Sequence, residues 1–92
     1  MRVRYTRTAA RQIASALDYL AADSPVAAQG LSERLQSVMA LLREHPFMGR
    51  VTSLRHIRRF PLGSYPYLID YSVETDEIVV RRFRHTARRP LS

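Results

Sequence analysis

The sequence predicts an α+β fold in which a helical hairpin packs on one face of a small antiparallel sheet. Two observations carry this prediction. Residues 65–73 place large apolar side chains on every second position, which is typical of a half-buried strand. Residues 9–42 repeat apolar side chains at intervals of three and four, which is typical of amphipathic helices. The predicted order is β-α-α-β-β-β, and the 92 residues form a single domain.

The chain begins with an alternating segment, residues 2–5, that predicts a short first strand. Thr6 or Thr8 can cap the helix that follows, because a threonine hydroxyl accepts hydrogen bonds from the free N–H groups of a first turn. This helix covers residues 9–22. Its apolar face consists of Ala9, Ile13, Ala16, Leu17 and Leu20. We place the first strand beside the second strand of the sheet.

A second helix is predicted to begin at Ser24 and Pro25, because serine is a favoured N-cap and proline is favoured at the first helical position. It ends at His45, since a residue that precedes proline avoids the α region. The short connection makes the two helices an antiparallel hairpin. Gly30 lies inside the second helix at a cost of roughly 1 kcal/mol relative to alanine, so we expect the first helix to approach it closely.

The segment after the second helix has weaker signals. Residues 46–49 predict a loop whose Phe47 and Met48 cover the open end of the core. Residues 54–60 predict a second strand with charge on both faces, which is typical of a strand near an edge or a binding surface. Residues 61–64 then turn the chain into a closing hairpin.

The closing hairpin organises the rest of the chain. Its first strand covers residues 65–73, residues 74–77 supply the turn, and a β-branched run restarts at Ile78. In a regular second strand, either Arg81 or Arg82 faces the helices, and that arginine emerges at the end of the sheet or pairs with an acid such as Asp70. We expect the partners of the protein to contact the basic side chains of this region, which are Arg81, Arg82, Arg84, His85, Arg88 and Arg89.

Arginine dominates the charge of the chain. The formal net charge is +7, from fifteen arginines and no lysine against eight acidic residues. Residues 47–92 hold nine of these arginines and four of the acids, so an anionic partner is expected at this half. Arginine binds phosphate and carboxylate groups in bidentate geometry, which makes a nucleic acid or an acidic protein the candidate partner. Charge that serves solubility alone is the alternative.

Composition excludes several kinds of site. The chain has no cysteine, and its three histidines lack the paired spacing of a metal motif. We therefore expect no metal and no cofactor. No segment approaches the ~20 apolar residues of a membrane span, and the N-terminus lacks a signal-peptide pattern. These features predict a cytoplasmic protein without a membrane partner.

Four later segments follow the first strand and the helical hairpin in a recognisable order. They are the loop EHPFMG at residues 44–49, the segment LRHIRRF at residues 54–60, the strand YPYLIDY at residues 65–71 and the tail HTARRP at residues 85–90. Together they resemble the RelE/ParE superfamily of toxins from type II toxin–antitoxin systems. The resemblance spans nearly the whole chain, and it depends on order and spacing rather than on one specific motif.

This resemblance implies a toxin that is neutralised by an acidic antitoxin of the ParD or RelB type. ParE-like members poison DNA gyrase, whereas RelE-like members cut mRNA in the ribosome. The proline-ended tail is more similar to the ParE side, so gyrase is the expected target and mRNA cleavage is the alternative. The expected antitoxin contacts on the helical hairpin are Ile13, Leu17, Leu20, Leu31 and Leu35. The expected contacts with target or antitoxin are Arg58, Tyr65, Arg82, Arg84, Arg88 and Arg89.

Cleavage of RNA through the ribose 2′-hydroxyl would need a base, an acid and a cation for the phosphate. Arginine supplies the cation but not the base, because its pKa lies above about 12. His85 is the best proton carrier in the basic segment, it shares strand parity with Arg81, and Arg59 can complete a phosphate clamp. The catalytic set of the alternative is therefore Arg59, Arg81 and His85, with no carboxylate expected beside it. An equally weighted interpretation makes His85 a hydrogen-bonded residue at a strand end.

Overall fold

The chain folds into two helices and five strands. A computed structural model describes residues 1–87. In chain order the elements are β1 (Arg2–Tyr5), α1 (Arg7–Asp23), α2 (Pro25–Glu44), β2 (Arg50–Val51), β3 (Arg58–Leu62), β4 (Tyr65–Val73) and β5 (Glu77–His85). The predicted α+β class and element order are confirmed, with the two-residue β2 as an addition.

The five strands form one sheet in the order β1-β5-β4-β3-β2. Strands β3, β4 and β5 form the antiparallel meander that the sequence predicts. Strand β1 pairs in parallel with β5, with Val3 opposite Ile78, so its predicted place beside the second strand is wrong. The helical hairpin carries the chain from one edge of the sheet towards the other, and the meander then returns to β1.

A turn replaces the first half of the predicted second strand. The Thr52 hydroxyl accepts a hydrogen bond from the Leu54 N–H at 3.1 Å and donates one to the Ile57 carbonyl at 2.9 Å. His56 has a φ of 64°, a left-handed conformation that is incompatible with a strand. The strand prediction is therefore wrong over residues 54–57, and β3 begins at Arg58.

Both helices begin at predicted caps. The Thr6 hydroxyl accepts a hydrogen bond from the Ala9 N–H at 3.1 Å, and the Ser24 hydroxyl accepts one from the Ala27 N–H at 3.2 Å. Pro25 occupies the start of α2, where its missing N–H has no helical acceptor. Each cap contributes about 1 kcal/mol; Thr6 fixes the start of α1 after β1, and Ser24 fixes the turn between the two helices. Within residues 1–87, no helix is long and apolar enough to cross a membrane.

The core lies between the helical hairpin and one face of the sheet. Helix α2 supplies most of one wall, and the odd-numbered residues of β4 supply much of the other. Its buried members are Ala9, Leu31, Leu35, Val38, Met39, Leu42, Leu62, Tyr67, Ile69, Tyr71, Ile78, Val80 and Phe83. Burial of each large apolar side chain contributes roughly 1.5–3 kcal/mol. The even-numbered residues of β4 lie on the opposite face, which neither α1 nor α2 covers.

Gly30 allows a strand, rather than a helix, to approach α2. The atoms nearest to the position that a Cβ would take at Gly30 belong to the Tyr65 side chain, with the hydroxyl closest. The prediction that the first helix approaches Gly30 is therefore wrong. The lost helix propensity is offset by the packing of a β4 tyrosine against the bare backbone.

Hydrogen bonds hold the loop after α2 in place. The Tyr71 hydroxyl donates to the Pro46 carbonyl at 2.8 Å and accepts from the Gly49 N–H, also at 2.8 Å. Phe47 and Met48 are 64% and 47% exposed. The prediction that these two side chains cover the core is therefore wrong, because the buried tyrosine fixes the loop through its backbone.

Candidate functional site: an arginine cluster on the uncovered face of the sheet

A buried carboxylate lies at the centre of the uncovered face. Asp70 is 3% exposed, whereas its neighbours in β4 belong to the core on the other face. Arg59 donates from Nε to Oδ1 at 2.7 Å and from Nη2 to Oδ2 at 3.3 Å. Nη2 of Arg84 lies 3.4 Å from Oδ2. Two guanidinium groups are therefore oriented by one carboxylate. The expectation of no carboxylate beside the candidate catalytic set is wrong for Arg59, and Asp70 pairs with Arg59 and Arg84 rather than with Arg81.

Strand register adds two more arginines to this face. Directly paired residues of neighbouring strands lie on the same face of a sheet. Arg82 of β5 pairs with Asp70, Asp70 pairs with Arg59 of β3, and Arg59 pairs with Arg50 of β2. With strands about 4.8 Å apart, this line of four residues spans roughly 14 Å. Arg50, Arg59, Arg82 and Arg84 are here termed the arginine cluster.

A β-bulge in β5 brings the arginine cluster together. Tyr71 pairs with Val80, whereas the adjacent Asp70 pairs with Arg82, which leaves Arg81 as an extra residue in β5. The prediction that Arg81 or Arg82 faces the helices assumed a regular strand, and the bulge removes that condition, so neither arginine does so. The bulge shifts the alternation of β5 by one residue, and Arg82 therefore lies beside Asp70.

Arg81 is held separately, next to the β4–β5 turn. Its Nε donates to the Ser72 hydroxyl at 2.9 Å, and its Nη2 lies 3.7 Å from Oε2 of Glu74. The Ser72 hydroxyl in turn donates to Glu74 at 3.0 Å. These contacts stabilise the bulge and place the Arg81 guanidinium on the same side of the sheet as Asp70.

The same bulge places His85 on the helix-covered face. His85 pairs with the core residue Tyr67, and their rings meet edge to face with centroids 5.1 Å apart. Its Nδ1 accepts a hydrogen bond from the Ala87 N–H at 3.0 Å. The prediction that His85 and Arg81 share a face is wrong. The structure therefore does not bring the candidate catalytic set together: Arg59 and Arg81 lie on the uncovered face, and His85 lies at the end of the other.

Arg58 has a structural contact that the sequence did not predict. Its Nη1 donates to the carbonyls of Phe47 at 3.2 Å and Gly49 at 2.9 Å. Its guanidinium carbon lies 5.2 Å from the centroid of the Phe47 ring, within cation–π distance. Arg58 therefore anchors the loop after α2, and its role in binding a partner stays a prediction.

The remaining predicted contact residues fall into three groups. Arg82 and Arg84 belong to the arginine cluster. Tyr65 is half-buried on the helix-covered face, against Gly30. Arg88 and Arg89 lie outside the described residues. Arg50 and Asp70 complete the cluster. Only Asp70 could be recognised from the sequence, because an acid in the middle of the apolar strand over residues 65–73 needs a charged partner.

The ion pair with Asp70 affects the pKa of Arg59. The hydrogen bond to Asp70 raises the pKa of Arg59, and this effect exceeds the lowering caused by burial. Nε of Arg84 is buried and has no hydrogen-bond partner among the described residues. The guanidinium of Arg84 is therefore oriented through Nη2, which faces Asp70.

The helical hairpin presents a different surface from the one predicted. Ile13, Leu17 and Leu20 of α1 are half-buried, because they pack against the edge of the core. Leu31 and Leu35 of α2 are 1% and 8% exposed, because they belong to the core, and their role as antitoxin contacts stays a prediction. The large apolar side chains that do protrude from the hairpin are Tyr19, Val26 and Leu41, with exposures of 72%, 81% and 38%.

The described residues offer no metal site. Within residues 1–87, no three histidine, aspartate or glutamate side chains lie close enough together to hold an ion. Asp70, the most buried acid, is surrounded by arginines, which would repel a cation.

The fold and the site define a class of protein: a small basic domain with a helical hairpin on one face of its sheet and clustered arginines on the other. A family model described as the ParE toxin of the type II toxin-antitoxin system, parDE, matches residues 3–90. The chain belongs to this ParE toxin family, which confirms the predicted resemblance.

One relative supports this assignment, and one solved structure shares the fold. A protein named Toxin RelE2, from Caulobacter vibrioides, is 34% identical over 86 residues, which cover 91% of this chain and 93% of that protein. A chain in a solved structure titled "Chromosomal ParDE TA system from P. aeruginosa" has the same fold, with a TM-score of 0.78 at 22% identity. The match covers 92% of this chain and 95% of that chain. Membership of the family implies an antitoxin as partner.

Proposed function

We propose that this ParE-family toxin inhibits DNA gyrase and that a cognate acidic antitoxin neutralises it. Two features support gyrase as the target: membership of the ParE toxin family, and the ParE-like tail of residues 85–90. The observation that carries the proposal is the separation of His85 from the arginine cluster by the β5 bulge. Both gyrase and an antitoxin would meet the protein in the cytoplasm, so we place it there.

The separation matters because binding and RNA cleavage have different chemical requirements. A cationic surface that binds a partner needs only charge and shape, whereas cleavage through a 2′-hydroxyl also needs a proton acceptor. In the described part of the chain, both oxygens of Asp70 are engaged by Arg59 and Arg84. His85 lies on the opposite face. The arrangement therefore favours a toxin that acts by binding over one that acts as a ribonuclease.

A gyrase assay tests the target. Purified toxin is titrated into gyrase with relaxed plasmid and ATP, and both supercoiling and protein-linked DNA breaks are measured. We expect supercoiling to be lost and breaks to accumulate. The variant Arg50→Gln/Arg82→Gln should need at least about tenfold more protein, because it loses two of the four cluster charges. The matched control Arg7→Gln/Arg11→Gln removes the same charge from α1 and should act like wild type. Full supercoiling at excess toxin would refute the proposal.

The ribonuclease alternative has its own test. Ribosome-bound mRNA is incubated with stoichiometric toxin, and cleavage is mapped by primer extension. We expect intact mRNA. If wild-type toxin cuts the mRNA and His85→Ala does not, a RelE-like mechanism would be favoured over gyrase inhibition, since only that mechanism needs the imidazole. A chain that ends at Ala87 tests the predicted contribution of Arg88 and Arg89, and we expect it to lose toxicity in growing cells.

The proposed antitoxin contact includes the exposed apolar side chains of the helical hairpin. Tyr19 and Val26 protrude into solvent, and the toxin carries a net charge of +7, so an acidic amphipathic segment fits. A short acidic protein encoded beside this gene should co-purify with the toxin. The substitution Tyr19→Ser/Val26→Ser should weaken that complex without altering the fold. Unchanged affinity in this variant would move the antitoxin site away from the hairpin.

A further inference from the structure

We infer that the arginine cluster is a binding site for the phosphate backbone of duplex DNA. The proposed function needs only a protein target, and this inference adds a nucleic-acid ligand to the uncovered face of the sheet. It can be measured without gyrase, so the two can fail separately. Charge, free donors and the distribution of aromatic side chains carry it.

The charge of the cluster is concentrated and of one sign. The cluster combines four guanidinium groups with one carboxylate, Asp70, which leaves it with a formal excess of three positive charges. The line from Arg50 to Arg82 spans roughly 14 Å across four strands. About 14 Å of duplex carries roughly eight phosphate charges, so every arginine of the line can find a phosphate.

Some guanidinium N–H groups of the arginine cluster are available to a ligand. Arg50 and Arg82 are exposed, and neither makes an ion pair with another described residue. Asp70 holds Arg59 and Arg84 in fixed orientations, which lowers the entropy that they would lose on binding. Phosphate oxygens would be bound by the exposed guanidinium groups of Arg50 and Arg82 and by the exposed parts of Arg59 and Arg84.

The aromatic side chains of the sheet indicate duplex rather than single strands. Proteins that bind single-stranded nucleic acid stack bases on exposed aromatic rings. Register and packing place the aromatic residues of these strands on the helix-covered face; they are Tyr5, Phe60, Tyr65, Tyr67, Tyr71 and Phe83. The uncovered face therefore offers cations for a backbone but no stacking platform for unpaired bases.

The same face is a poor match for an apolar protein segment. Its strand positions contain few apolar residues, namely Pro61, Pro66, Leu68 and Val79. Val79 is fully buried, and Leu68 is half-buried between Pro61 and Arg84. Protein interfaces obtain most of their affinity from large buried anchors in pockets, which this face lacks among the described residues. A uniform polyanion fits it better than an amphipathic helix.

Fluorescence anisotropy tests the inference with a fluorescein-labelled duplex of about 20 base pairs, across about 50–200 mM salt. Toxin alone should bind, and the logarithm of its affinity should fall with the logarithm of salt at a slope of about −3.5 for four phosphate contacts. Arg50→Gln/Arg82→Gln should reduce the slope by about 1.8 and weaken binding at least about tenfold at the lower salt. Arg7→Gln/Arg11→Gln, with the same net charge, should keep the wild-type slope.

A charge-retaining variant separates loss of charge from loss of structure. Arg50→Lys/Arg82→Lys keeps both charges but not the bidentate geometry, so it should keep the slope and lose only affinity. Equal losses in the cluster and α1 variants would overturn the inference, since binding would then follow net charge alone. Tighter binding of single-stranded DNA or RNA of the same length would also overturn it. So would a deca-glutamate peptide that binds as tightly as duplex, which would indicate an acidic polypeptide as ligand.

Discussion

The substitution Tyr71→Phe removes one oxygen atom and isolates the contribution of a single buried hydroxyl. Tyr71 is fully buried, so the phenylalanine ring fills the same space. The hydroxyl makes two hydrogen bonds of 2.8 Å, as donor to the Pro46 carbonyl and as acceptor from the Gly49 N–H. Gly49 is itself buried, so its N–H has no access to water once the oxygen is gone.

The expected cost follows from these contacts. Each hydrogen bond contributes about 1 kcal/mol net, and a buried N–H left unsatisfied costs about 1–3 kcal/mol. The ring is buried to the same extent in the variant, so the substitution leaves no cavity larger than the lost oxygen atom. We expect the free energy of unfolding to fall by about 2–4 kcal/mol, which for a domain of this size lowers Tm by about 10–20 °C.

Urea unfolding followed by far-UV circular dichroism measures this difference. Tyr67→Phe is the matched control, because Tyr67 is also buried in the core but its hydroxyl makes no hydrogen bond with another described residue. We expect the control to stay within about 0.5 kcal/mol of wild type. If the two variants are equally stable, then the hydroxyl does not anchor the loop after α2 and the reasoning is wrong.

Three further predictions concern pH, a glycine and the central carboxylate. Burial raises the pKa of Tyr71 from its ordinary value of 10.0, outweighing the opposing effects of the Gly49 hydrogen bond and the Arg58 charge. The unfolded state therefore loses its proton first, so stability should fall as pH rises above about 10, and less steeply in Tyr71→Phe; an equal slope in both chains would contradict this. Gly30→Ala should stabilise the folded protein by up to about 1 kcal/mol in a Tyr65→Phe background but not in wild type, where the added methyl group meets the Tyr65 hydroxyl. A double-mutant cycle measured by thermal melts tests this, and additive effects of the two substitutions would argue against the contact. Asp70→Asn should cost about 2–3 kcal/mol in urea unfolding, because its arginine partners lose their counter-ion; a neutral result would show that solvent screens the pair.

The sequence predicted the elements with strong periodicity. The alternation over residues 65–73 defined β4 to the residue, because one face is core and the other is not. Ser24 and Pro25 fixed the start of α2 through cap chemistry that acts within a few residues. Local signals of this kind depend on neighbours in the chain, so one sequence is enough to read them.

Features that depend on residues far apart in the chain could not be predicted, because no local signal encodes them. The parallel pairing of β1 with β5 joins Val3 to Ile78, and nothing near either residue encodes it. The bulge at Arg81 depends on how β5 aligns with β4, and three of the four residues at positions 81–84 are arginines that suit either face. Because that single extra residue decides which side chains join Asp70, the candidate site could be predicted by composition but not by geometry.

The pairing of β1 with β5 also has a consequence during synthesis. The first strand to leave the ribosome has no partner in the sheet until the last strand emerges, since its register runs from Arg2 opposite Glu77 to Tyr5 opposite Val80. The same late strand supplies Arg82 and Arg84. A chain that stops before β5 would therefore leave β1 without its partner strand and would lack two of the four arginines of the arginine cluster. The candidate site thus forms only after β5 has been synthesised.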